Sequence, residues 1–94
     1  MAKKFEHALQ DAHQLTLITN RLKRAHGQLG AIVRMMEDGR DCEAIVTQMA
    51  AVSKAINTAA FTLISSSLKE CLIDPLVDAD DVSAKLQKLF LSLA

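Results

Sequence analysis

A chain of 94 residues and 10.3 kDa has room for one small domain, and 11 Lys/Arg against 11 Asp/Glu leave it without net charge. Half of its residues are apolar, with only three Gly and one Pro. So few turn residues argue against a β-sandwich or barrel, the apolar content argues against disorder, and no apolar run approaches the ~20 residues of a membrane span.

The opening MAKKFEHALQDAH has no apolar core of the kind a signal peptide carries, so a cytoplasmic chain with no membrane partner is expected. Residues 1–94 read as a single all-α domain. A short chain with a mean hydropathy of +0.16 carries more apolar surface than it can bury alone, which points to a homo-oligomer. Neutral charge hides an asymmetry. Residues 1–40 hold seven Lys/Arg against four acids, and residues 41–94 hold four Lys against seven acids. Such a chain can present a positive face while remaining neutral.

The first predicted helix is long, from about Lys4 to Glu37. Leu15, Ile18, Leu22, Leu29, Ile32, Val33 and Met36 recur mostly at three- and four-residue steps and predict one buried stripe. Asp38-Gly39 stops it, glycine suiting the left-handed position beyond a helix end. Asp41 is the expected N-cap of the second helix. There Ile45, Met49, Val52, Ile56, Ala59 and Leu63 step by alternating fours and threes, a heptad seam. This helix is predicted to run to about Cys71, with Asp74-Pro75 ending it. A third, short helix follows an Asp cap within residues 78–81, with Val82, Leu86, Leu89, Phe90 and Leu93 as its apolar face.

Cys42 and Cys71 sit near opposite ends of the second helix, about 43 Å apart along its axis, so they cannot meet within one chain. Pairing two copies of this helix antiparallel about a two-fold axis sets Cys42 of one beside Cys71 of the other, twice over. The plain alternative is that both cysteines are small buried hydrophobes. Against it, Cys42 lies in a helix first turn, where the dipole favours a thiolate. His7 and His13 are read on the first helix, six apart and off a shared face, and His26 lies in the basic stretch. No His neighbours Cys71 in the sequence, so a zinc site would be short of ligands. Arg21, Lys23, Arg24 and Arg34 on the first helix, with Lys54 on the second, form a candidate phosphate-neutralising surface. Helix-turn-helix, zinc-finger and aromatic RNA-binding patterns are missing, as is any nucleophile–base pair or phosphate loop, so an enzyme is not expected.

The stretch Arg21-Leu22-Lys23-Arg24-Ala25-His26-Gly27-Gln28-Leu29, then Ile32 to Glu37, Asp41-Cys42 and Gln48 to Val52, strongly resembles the CsoR/RcnR family of bacterial repressors over roughly residues 15–93. The resemblance implies a three-helix protomer (long, long, short), an antiparallel four-helix-bundle dimer and a dimer-of-dimers tetramer. It also implies operator double-stranded DNA as partner, released when an effector reaches the cysteine site. Copper sensors of the family use cysteines matching Cys42 and Cys71, together with a histidine whose position falls on Ser67. Nickel and cobalt members use His where this chain has Cys71, and formaldehyde sensors carry an N-terminal Pro where it has Ala2. Two cysteines without the histidine are most similar to the persulfide-sensing CstR branch. That likeness implies a repressor needing no cofactor. In it, persulfides or polysulfides join Cys42, the attacking thiol, to Cys71 of the partner chain through an inter-subunit di- to tetrasulfide. Two alternatives stand beside it. One is a Cu(I)-sensing repressor using Cys42 and Cys71 as its metal ligands, and the other is a helical scaffold without DNA.

Overall fold

Aspartate side chains start all three helices of the computed structural model, which describes residues 7–74, 76 and 78–93. Helix α1 spans Ala12–Glu37, α2 Cys42–Ile73 and α3 Ala79–Ser92. Asp11 accepts a hydrogen bond from the Gln14 N–H, Asp41 from that of Ala44, and Asp78 from those of Asp80 and Asp81. Each supplies an acceptor to donors that have no partner inside the helix. The end of α1 is a Schellman turn. Gly39, at φ +67°, and Arg40 donate to the carbonyls of Met36 and Met35 at 3.2 and 3.0 Å.

The chain turns back at that point, so α1 and α2 form an antiparallel hairpin. Its line of contact is narrow: Ala25 and Ile32 on α1 cluster with Ile45 and Val52 on α2, with Met35 and Ala55 half-buried against them, and Ile18 and Ala59 are buried one heptad further along their helices. Among the described elements, helix α3 packs on α2 alone, through Val82 and Leu86 against Cys71, Ile64 and Leu68, and through Phe90, whose ring lies 4.8 Å from that of Phe61. The result is a rod of 54 × 25 × 21 Å. Its radius of gyration is 17.1 Å, against about 12 Å for a globular chain of this length.

Three expectations need correction. Helix α1 begins at Ala12 and not near Lys4. Residues 7–11 are non-helical, because the Glu70 side chain takes the N–H groups of Gln10 and Asp11; residues 1–6, including Ala2, Lys3 and Lys4, lie outside the described residues. His7 is therefore not on α1. Helix α2 runs to Ile73 with Asp74 as its C-cap, as the Asp74-Pro75 stop signal indicates. The expected single apolar stripe of α1 is two lines. Ile18 and Ile32 are buried, whereas Leu15, Leu22, Leu29, Val33 and Met36 are exposed. The seam of α2 divides in the same way, with Met49, Ile56 and Leu63 left 40–53% exposed beside its buried line.

Candidate functional site

The two lines give the hairpin unlike sides. On one side a mainly apolar groove is lined by Leu29, Ile32, Met49, Val52 and Ile56, together with Ser53 and Asn57. Leu15, Leu22, Leu29 and Met36 extend this side along α1 at seven-residue spacing, as Met49, Ile56 and Leu63 do along α2. On the other side a groove is lined by Arg21, Arg24, Gln28, Ala55 and Thr58. The Arg21 guanidinium there reaches the Thr62 hydroxyl at 3.4 Å.

Of the five cations singled out in the sequence, Arg21 and Arg24 thus share a groove. At about 100° per residue, Lys23 and Arg34 fall on the back of α1, away from α2. The Arg34 guanidinium lies along its own helix over Gly30. Lys54 stands on the outer side of α2, one turn before Thr58, whose hydroxyl donates to the Lys54 carbonyl. All five are exposed, and none makes an ion pair among the described residues. Charges held this way are available to phosphates without first breaking an internal bridge.

Cys42 is the first residue of α2 and is exposed, whereas Cys71 is 1% exposed. One protomer does not bring them together. Cys71 lies among Val82, Leu86, Ile64 and Leu68. Burial pushes its thiol pKa up, and the carboxylates of Asp74 and Glu70 push in the same direction. These effects favour the neutral thiol over the thiolate. Ser67, one turn earlier on the helix, is also buried. Among the described residues of one protomer, no group of three or more His, Cys, Asp and Glu could hold a metal ion.

Glu70 is the residue that sequence reasoning passed over. One carboxylate oxygen meets His7 Nε2 at 2.9 Å and accepts the Gln10 N–H at 2.8 Å, and the other accepts the Asp11 N–H at 2.7 Å. These donors, the Gln10 N–H foremost, hold its carboxyl below the usual range. The segment before α1 is thereby tied to α2 at the residue next to Cys71. A lone Glu before a Cys carries no sequence signal of this role.

Residues 14–92 match the family described as metal-sensitive transcriptional repressor. The chain belongs to that family. That family is one of transcriptional repressors, and two of the relatives the chain resembles carry that name. The copper-sensing transcriptional repressor CsoR of Bacillus subtilis (strain 168) is 37% identical over 67 residues, covering 71% of this chain and 66% of the relative. The copper-sensing transcriptional repressor RicR of Mycobacterium tuberculosis (strain ATCC 25618 / H37Rv) is 36% identical over 52 residues, 55% of this chain and 54% of the relative. YrkD of B. subtilis, an uncharacterized protein, is 40% identical over 47 residues, 50% of this chain and 75% of its own. The chain thus spans between half and two-thirds of the two named repressors' lengths. No solved structure matches the chain. Among the described residues, no helix is long and apolar enough to cross a membrane.

Proposed function

We propose that this repressor acts in the cytoplasm as an antiparallel dimer, paired further into a tetramer, and releases operator DNA when Cu(I) joins Cys42 of one protomer to the partner's Cys71. The observation that carries this reading is that α2 bears a cysteine near each end and an exposed apolar line between them. Antiparallel pairing along that line covers Met49, Ile56 and Leu63 and brings unlike cysteines together at both ends. Two thiolates form a soft donor set that suits Cu(I), and linear coordination needs no third ligand. Relatives named as copper-sensing repressors support the same choice. Cys42 and Cys71 would hold the ion, each giving up its thiol proton. Arg21 and Arg24, with Lys23, Arg34 and Lys54, would neutralise DNA phosphates, the oligomer multiplying each contact.

A second reading keeps the same repressor and changes its effector, and it is favoured by Ser67 standing where the resemblance calls for a histidine. In it, the Cys42 thiolate takes the outer sulfur of a low-molecular-weight persulfide and releases that molecule's thiol. The partner's Cys71 then attacks Cys42 and expels hydrogen sulfide. The two cysteines are oxidised to a disulfide while the sulfane sulfur is reduced, and further equivalents lengthen the bridge.

Selection of duplexes from a randomised pool with reduced protein supplies an operator for the test. That complex is then titrated separately with Cu(I) and with a persulfide donor, and the protein is weighed intact. Cu(I) is expected to release the DNA without covalent change, and Cys42→Ser and Cys71→Ser to abolish the response. Release by persulfide alone, with a sulfur-bridged dimer, would install the second reading. If no duplex is selected, the DNA-binding assignment fails.

A further inference from the structure

Cys71 has to reach an effector, yet its own chain seals it. It is 1% exposed, and the side chains closing over it come from α3, where Val82 is 1% and Leu86 6% exposed. We propose that α3 is a lid over the sensor thiol, so that an effector engages Cys71 only after α3 lifts from α2, with Val82 and Leu86 setting how readily it does. This rests on the assignment of Cys71 as a sensing residue.

The construction of α3 fits that role. It has 14 residues, about the length at which an isolated helix is marginal in water, so contact with α2 is what keeps it folded. That contact is narrow. Val82 and Leu86 are its only buried residues, while Leu89 and Phe90 remain about half-exposed and Leu91 more so. No contact with α1 adds to the hold. The hinge end is tied down separately. Asp74 donates its N–H to the Cys71 carbonyl and accepts the Leu76 N–H at 2.9 Å. Asp78 then restarts the chain as the α3 cap. Elements with few buried apolar contacts open at low free energy, without unfolding the rest of the chain. Once Cys71 is bridged to a second subunit, Val82 and Leu86 can no longer close over it. The position of α3 therefore reports whether effector is present. The hydrophobic seal also bars polar reagents from the thiol while the lid is down.

The test uses the full chain carrying Cys42→Ser, so that Cys71 is the sole thiol, and follows its alkylation by iodoacetamide. The folded chain is expected to react at least about a hundredfold more slowly than the same chain unfolded in guanidinium. Val82→Ala trims the seal, and Asp78→Ala removes the helix cap without touching the apolar contact. Each is expected to speed labelling about tenfold. Helicity should hold, and α3 amides should exchange with deuterium at matching rates, ahead of those of α2. Should Val82→Ala lose its fold, the cap variant and the exchange rates of the unaltered helix decide alone. Labelling of the folded chain within about threefold of the unfolded rate would overturn the lid. So would labelling that stays constant while α3 exchange quickens. Cu(I) uptake by chains with Cys42 intact separates the two claims. If Asp78→Ala speeds Cys71 alkylation but Cu(I) never binds, the copper reading fails and the lid stands; if Cu(I) binds an unprotected Cys71, the reverse holds.

Discussion

Ile56 offers a measure of how much the exposed line of α2 contributes to self-association. The residue is 42% exposed in the protomer and sits at the centre of that line, between Met49 and Leu63. Ile56→Ala deletes the carbons beyond Cβ, each worth about 0.8 kcal/mol when taken from water to an apolar interior. Only the part still exposed in the protomer gains from a second subunit, because what is already buried is lost from free and paired chains alike. Scaling by the 42% exposure gives about 1 kcal/mol for each chain. In a two-fold dimer the substitution occurs twice. The expected penalty is therefore about 2 kcal/mol, a roughly thirtyfold rise in the dimer Kd. Sedimentation equilibrium over a dilution series reads that constant directly. Lys23→Ala, on the back of α1, serves as the control and should leave it unchanged. A Kd for Ile56→Ala within about threefold of the parent would refute the assignment of this line as the pairing surface.

Gly39→Ala should cost about 1–2 kcal/mol in urea unfolding, because φ is +67° there while an added Cβ would meet nothing within 4 Å. Because its carboxyl titrates below the usual range in the folded chain, Glu70 stabilises the native state above that range, and the contribution fades as acid protonates it. Glu70→Gln should flatten the fall in thermal midpoint below about pH 4 while leaving the basic limb alone; an unchanged acid limb would count against the tie to residues 7–11. Ser67→His sets an imidazole one helical turn before Cys71, and competition against a chromophoric chelator should report tighter Cu(I) binding.

The helices were legible because their signals are local. Asp41 and Asp78 cap where the sequence indicates, and Gly39 takes the left-handed turn. The start of α1 was not legible, since Lys4 to Gln10 are acceptable helix formers and the competing acceptor, Glu70, lies some sixty residues further along the chain. Heptad spacing marked Ile45, Met49, Val52, Ile56, Ala59 and Leu63 as apolar. It could not say which half of them α1 would cover. The cysteines stood out by position, but the seal over Cys71 depends on α3 folding back, which only the packed chain reveals. Among the cations, charge alone could not distinguish Arg21 and Arg24, gathered into one groove, from Lys23 and Arg34 on the far side.

The contact between α1 and α2 is narrow, and in the proposed dimer that width would make the native state a matter of mass action. If the proposed dimer forms, a protomer with so thin an interior would draw much of its stability from its neighbour, and its thermal midpoint should climb with protein concentration. Chains in excess of their partners would be the first to melt and the first to meet a protease. The supply of folded protein would then follow its abundance more steeply than in direct proportion.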